Sequence, residues 1–380
     1  MFGSVKKPQL VLFIGHHKVG STSIQDYFSR NAPALAQAGI LYPFVDFEGM
    51  SYLAAGLAKG TRDTDQLPIN VREPHNALAF RYMATAEESS VPRYHGKLPP
   101  LAQMEHALTQ QFMFFDPHTV VMAAEVFSNF SVRSPKMIKR FLKLFDGFDI
   151  TLLLTLRRID EYMMSWHGQR LKFGNTVPRL SDDGLDEYCN TIHFDYRLLL
   201  QGWMDTAPDA KVVLRDYEDV RAAGGSVVDL IAQAGLKLTK GLQPERRQND
   251  SLHRGIYELA RRGNNDLKRP KSGRFRSTLR ALVPQMELPP SKDIELLGSD
   301  MRARIAEKFA PIDETLGQIA GKGAAFFDDN TAVLETRPLP EADVFADVRD
   351  QAITLWPQDG PVSKFKDFLS SLDYDPPRQA

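Results

Sequence analysis

Three scarcities bound what this chain can be. Of its 380 residues only Cys189 is a cysteine, so no disulfide can form within the chain and a bridged scaffold is excluded. No apolar run reaches the roughly 18 residues that a membrane-crossing helix needs, and the run from Gln9 to Gly15 is broken by His16-His17-Lys18. Net charge is nearly absent as well. The 47 Lys and Arg against 48 Asp and Glu leave −1, which argues against nucleic-acid binding through overall charge. What remains, 43% apolar and 25% charged, is ordinary for a globular protein with ample material for a core. A reducing, cytoplasmic location without an integral membrane segment is the expectation. Oligomeric state is not legible, and no internal repeat is present.

The hydrophobic pattern alternates between strand and helix. Strands are expected over residues 10–14, 40–42, 119–124, 150–157 and 211–214. Helices are expected over 21–38, 136–145, 158–172, 195–206, 226–234 and 365–372. Residues 44–101 are rich in Gly and Pro and read as an irregular insertion with helical islands near 53–58 and 77–86. This order implies an α/β fold, a mainly parallel sheet with helices on both faces. The core is expected to span 1–245, with 246–380 a helical and irregular extension packed on it. Ligands of such sheets sit at the carboxyl ends of the strands, where Lys18, Glu125 and Arg157 fall.

The densest chemistry lies between the first strand and the first helix. Gly15 to Gly20, followed by Ser21-Thr22, has almost the spacing of the nucleotide phosphate loop G-x-x-x-x-G-K-[ST]. Backbone N–H groups at a helix start are unpaired and carry partial positive charge, so such a loop can cradle phosphate. The lysine is displaced, standing at Lys18 inside the loop rather than before Thr22. A strand–loop–helix turn capped by Ser or Thr is the plainer alternative. A second strand ends in Arg157-Arg158, and Ser165 follows Arg157 by eight residues, about two helical turns on. An arginine closing a strand and a serine on the next helix can converge on one phosphate.

Together these segments resemble the sulfotransferases that use PAPS, 3′-phosphoadenosine 5′-phosphosulfate, and among them the bacterial-type enzymes that act on glycans. His17 to Gln25 resembles their 5′-phosphosulfate loop, although Val19 stands where many relatives carry Thr or Ser. Arg157 and Ser165 match their 3′-phosphate motif, with Ile159 in place of a usual proline. Arg246-Arg247-Gln248-Asn249-Asp250-Ser251 resembles a late segment that in this family lies near the nucleotide or the acceptor. The resemblance implies a P-loop-type core and a donor site of His17, Lys18, Gly20, Ser21, Thr22, Ser23, Arg157, Ser165, Arg247 and Asn249. It also implies PAPS as co-substrate, no metal requirement, and a hydroxyl acceptor that is a glycan or glycoconjugate rather than nucleic acid.

Lys18 is the expected stabiliser of charge on the departing phosphate. For the base that takes the acceptor's proton the sequence offers three candidates. His75 lies in the stretch Glu73 to Phe80, Glu48 about thirty residues after Lys18, and Glu125 at a strand end. Histidine needs no special tuning for this task, which puts His75 first. Two other function classes compete. A kinase-like NTP enzyme would account for the loop alone. A non-catalytic nucleotide or polyanion binder would use residues 261–280, where eight Lys or Arg face the single acid Asp266. That segment reads either as a solvated basic loop or as a cover for phosphates or an anionic acceptor.

Overall fold

The computed structural model describes residues 7–60, 66–246 and 251–374. Five strands, β1 (Gln9–Phe13), β2 (Ile40–Leu41), β3 (Thr119–Ala123), β4 (Asp149–Leu156) and β5 (Lys211–Asp216), form one sheet in the order β2-β3-β1-β4-β5. Every pairing is parallel; Leu12, for example, lies opposite Met122 on one side and Leu152 on the other. The continuous apolar runs explain this. Leu10 to Phe13 and Val120 to Ala123 have no solvent exposure, as expected of strands covered on both faces.

β1 and β4 are neighbours whose onward connections leave in opposite directions, toward β2 and toward β5. The crevice at their carboxyl ends is where an open parallel sheet receives ligands. β1 runs into the loop 14–20 and then helix α1 (Ser21–Gln37).

The stretch 44–101 is more ordered than its composition suggests, with helices Phe47–Lys59, Ile69–Arg72 and Pro74–Ala86, and a further helix at Leu101–Phe115. Proline here begins helices rather than breaking them. Pro74 opens its helix and Pro100 precedes the next, positions where the missing N–H costs nothing. Beside the sheet, Phe127, Phe130, Phe141, Phe145 and Trp203 form an aromatic cluster in which Phe130 stacks on Trp203 at 6.0 Å.

The chain divides into two compact units. Among the described residues, 7–157, 196–246 and 314–326 form the unit holding the sheet, and 158–195, 251–313 and 327–374 the other. The division does not fall at residue 245. The segment 158–195, which the sequence reading keeps with the sheet, clusters with the C-terminal part.

The second unit is mostly helical, with Ile159–Lys172, Tyr257–Asp266, Lys271–Leu282 and Glu341–Leu355, and a short parallel pair, Ile294–Glu295 with Leu339–Pro340. Phe275, Trp356 and Phe365 pack together in its core, the first two stacked at 5.2 Å. Arg302, wholly buried, is held by Asp160 at 3.2 Å and Glu295 at 2.9 Å, so its charge is paired as burial demands. Residues 261–280 are therefore no loop; they lie largely in two helices that bury Phe275 and Leu279. No helix among the described residues is long and apolar enough to cross a membrane.

Candidate functional site

The loop after β1 is stitched to β4. Ile14 N–H donates to Leu153 O at 3.1 Å, Thr155 N–H to Gly15 O at 2.9 Å, and His16 N–H to Thr155 O at 3.0 Å. The loop thus starts two residues short of Arg157. Beneath it, the buried His16 ring lies 5.0 Å from that of Tyr196, whose hydroxyl donates to Arg157 O at 2.9 Å. The Arg157 guanidinium stands 5.3 Å from the Tyr217 ring centre, a cation–π distance that fixes its direction.

The loop's backbone is left-handed at Lys18 (φ 63°) and at Gly20 (φ 87°), the residue that caps α1. The cap carries no side-chain hydrogen bond and the first turn no acidic residue. The plainer alternative, a turn capped by Ser or Thr, is not what forms. Ser21, Thr22 and Ser23 instead make up the first turn; Ser23 N–H donates to Gly20 O at 3.1 Å, and the N–H groups before it, at a helix start without carboxylates, suit an anion. Ser226 braces the loop from outside, its hydroxyl donating to Val19 O at 2.8 Å. Burial and the adjacent Lys18 hold His17 near a pKa of 4, so its ring is neutral at physiological pH.

Against the loop lies a polar cluster. A Cβ on Gly15 would sit 3.3 Å from the Cα of Glu125, so the backbone of Glu125 runs close beside the loop's first glycine. Both carboxylate oxygens of Glu125 are held by amides: Gln25 Nε2 donates to one at 3.2 Å and Asn76 Nδ2 to the other at 3.3 Å. Asn76 Nδ2 also lies 3.2 Å from Glu73, which takes a second charge-assisted bond from Arg72 at 2.6 Å. Tyr94 is 57% exposed; burial of the rest of its ring and the fields of Glu73 and Glu125 push its pKa up to about 12.

His75 is a correction. Its ring has no solvent exposure and both its nitrogens are committed to backbone. Ala123 N–H donates to Nδ1 at 3.0 Å, so Nδ1 is the unprotonated nitrogen, and Nε2–H donates to Pro43 O at 3.0 Å. Burial lowers its pKa to about 3. With its lone pair taken and no path to solvent, His75 ties β3 to the chain after β2 and is not placed to serve as a base. Glu48 is exposed in the first turn of helix Phe47–Lys59, where a carboxylate complements the helix start; Asp46 caps that helix by accepting from Gly49 N–H at 2.8 Å. Of the three candidates, Glu125 is the one in contact with the loop.

Ser165 is half-buried on helix Ile159–Lys172, in the second unit. Arg247 and Asn249 lie outside the described residues. The chain just before them is clamped to α1 by Asn31, which donates to Gln243 O at 3.1 Å and accepts from Gln243 N–H at 2.7 Å. Sequence reasoning missed Glu73, Asn76, Gln25 and Tyr94. Two of these lie within Glu73 to Phe80 and one closes the loop motif, so the sequence holds them locally, while their gathering around Glu125 is a matter of packing. Among the described residues no group of three or more His, Cys, Asp or Glu is arranged to hold a metal ion. Compared with protein families, curated proteins and solved structures, the chain matches none.

Proposed function

We propose that this chain is a PAPS-dependent sulfotransferase with a P-loop-type core, acting on a carbohydrate hydroxyl. One observation carries the reading. The helix start after β1 is glycine-capped and free of carboxylates, holds Lys18 within its loop, and is hydrogen-bonded to β4 two residues before Arg157. That arrangement suits a phosphate flanked by a second anionic group, and the displaced lysine separates it from the standard triphosphate loop.

In this reading the N–H groups of Ser21 and Thr22 and the hydroxyls of Ser21, Thr22 and Ser23 hold the 5′-phosphate. Lys18 meets the charge that grows on it as the bond from sulfur to the bridging oxygen breaks. Arg157 selects the 3′-phosphate. Glu125 takes the proton of the acceptor hydroxyl as the new sulfur–oxygen bond forms, its carboxylate oriented by Gln25 and Asn76. Tyr94 offers a flat, half-exposed ring to the apolar face of a sugar near that carboxylate.

The test is binding of adenosine 3′,5′-bisphosphate, followed by calorimetry and thermal shift, because a ligand of the native state raises the unfolding temperature. The bisphosphate is expected to bind more tightly than AMP, and Arg157→Ala to remove that preference. Tighter binding of ATP than of the bisphosphate, and only with Mg²⁺, would overturn the reading in favour of an NTP enzyme.

A further inference from the structure

An aromatic cluster stands one helical turn beyond Asn76, within the unit that holds the sheet. On the helix Pro74–Ala86, the half-buried Phe80 follows Asn76 by four residues and so lies on the same face. The short turn Arg93–His95, set between Pro92 and Gly96 (φ 61°), brings two more rings against it. Phe80 lies 5.5 Å from the His95 ring and 6.3 Å from that of Tyr94, and the rings of Tyr94 and His95 are 4.7 Å apart.

His95 is locked in one tautomer. Asn70 Nδ2 donates to His95 O at 3.2 Å, which leaves Asn70 Oδ1 to accept from the ring's Nδ1–H at 2.8 Å. The lone pair therefore sits on Nε2. The residue is 2% exposed, and Nε2 has no hydrogen-bond partner among the described residues. Burial lowers its pKa, against the field of Glu73, so the ring is neutral at physiological pH. A buried acceptor left without a donor is costly, and a hydroxyl brought to it would recover that cost. Its neighbour is free to admit one. Tyr94 is exposed, and its hydroxyl makes no hydrogen bond among the described residues, so ring contacts alone hold it.

We propose that Phe80, Tyr94 and His95 form a subsite for an uncharged sugar unit of the acceptor, whose apolar face lies on the Tyr94 ring while one hydroxyl donates to His95 Nε2. Aromatic walls with one convergent polar atom are the usual make-up of a small-molecule site. Entry to Nε2 requires Tyr94 to swing outward, which carries its ring under the sugar. The absence of charge on that unit follows from Glu125. Two amides hold its carboxylate, no cation pairs with it among the described residues, and Asn76 links it to the face that bears Phe80. An acidic sugar unit would meet that charge with repulsion. A metal ion on Nε2 would need further ligands, and no group of three His, Cys, Asp or Glu among the described residues is arranged to hold one. Choosing a sugar among hydroxyl donors rests on the sulfotransferase reading.

The experiment follows the ring nitrogens of isotope-labelled histidine by NMR while methyl glycosides are added. The probes are methyl glucoside, galactoside and N-acetylglucosaminide, with methyl glucuronide as the acidic counterpart. A neutral glycoside is expected to shift the His95 Nε2 resonance with Nδ1 still protonated, and the glucuronide to shift it less at equal concentration. Tyr94→Ala should weaken the neutral glycoside by about fivefold, the scale of one aromatic contact, and Tyr94→Phe should restore it. His95→Phe keeps the ring contacts but removes the lone pair, and should cost about fivefold in affinity, the scale of one neutral hydrogen bond. Should that buried change misfold the protein, the exposed Tyr94 variants still decide. Adenosine 3′,5′-bisphosphate affinity should hold in all of them. No shift with any neutral glycoside, or an equal shift with the glucuronide, overturns the proposal. So does a loss of bisphosphate affinity in Tyr94→Ala, which would give that ring to the nucleobase. Glycoside binding that persists where the bisphosphate fails to bind the parent protein would instead remove the sulfotransferase reading and leave the sugar subsite standing.

Discussion

Gly15 and Glu125 touch: a Cβ added to Gly15, whose φ is 112°, would lie 3.3 Å from the Cα of Glu125. The first glycine of the loop is therefore needed twice, for a backbone conformation that L side chains rarely adopt and for the close approach of the Glu125 backbone. Gly15→Ala is expected to destabilise by about 1–3 kcal/mol, the usual cost of a residue held in such a region. It should also weaken bisphosphate binding, because the strain falls on the loop proposed to hold the phosphate. Denaturant unfolding and calorimetry check both; a variant as stable as the parent would show that the loop does not need this conformation.

Glu125→Gln is expected to lower sulfuryl transfer by about a hundredfold or more while bisphosphate affinity holds, as for loss of a general base. The amide keeps the shape and its contact with Gln25 or Asn76 but cannot take the acceptor's proton. Glu48→Gln, exposed at a helix start, should leave transfer within about twofold, since surface changes of this kind are mild. The reverse ranking of the two variants would move the base to Glu48.

Lys18→Ala should depress turnover more than donor binding, because the ammonium meets charge that develops as the bond to sulfur breaks. Lys18→Arg should rescue poorly, since a planar fork replaces a compact charge. Measuring bisphosphate affinity beside single-turnover rate separates the two effects. A loss confined to binding would make Lys18 a donor anchor only.

His75 supplies a pH prediction that does not depend on any activity. Its folded pKa is about 3 against 6.5 for an unburied histidine, so between these values the unfolded chain binds the extra proton. Stability owed to this residue is thus level above pH 6.5 and falls as pH drops below it, by up to about 1.4 kcal/mol per pH unit. In His75→Asn the acid limb should flatten, while stability at pH 8 drops by about 1–3 kcal/mol from the broken bonds to Ala123 and Pro43. Unfolding curves from pH 8 to pH 4 decide it; parallel curves for parent and variant would show that His75 titrates normally.

The sequence determined much of the sheet by itself. The apolar runs in β1, β3 and β4 are continuous because both faces are covered, and such runs are visible without any partner. The loop was legible for the same reason: glycines, a lysine and hydroxyls within nine residues are a local pattern. The helices in 44–101 are less legible because proline can break a helix or begin one, and only the structure shows that Pro74 begins one.

Tertiary structure alone decided which polar side chain faces the loop. Asn76 reaches Glu125 across 49 residues, and His75, one position earlier on the same helix, turns instead to Ala123 and Pro43. On a helix, adjacent residues point about 100° apart, so the choice between a partner of Glu125 and a buried brace depends on packing that no local pattern records. The same holds for the basic segment. Its charges are evident in the sequence, but which of them face solvent is set only once Phe275 and Leu279 are buried and fix the helix's rotation.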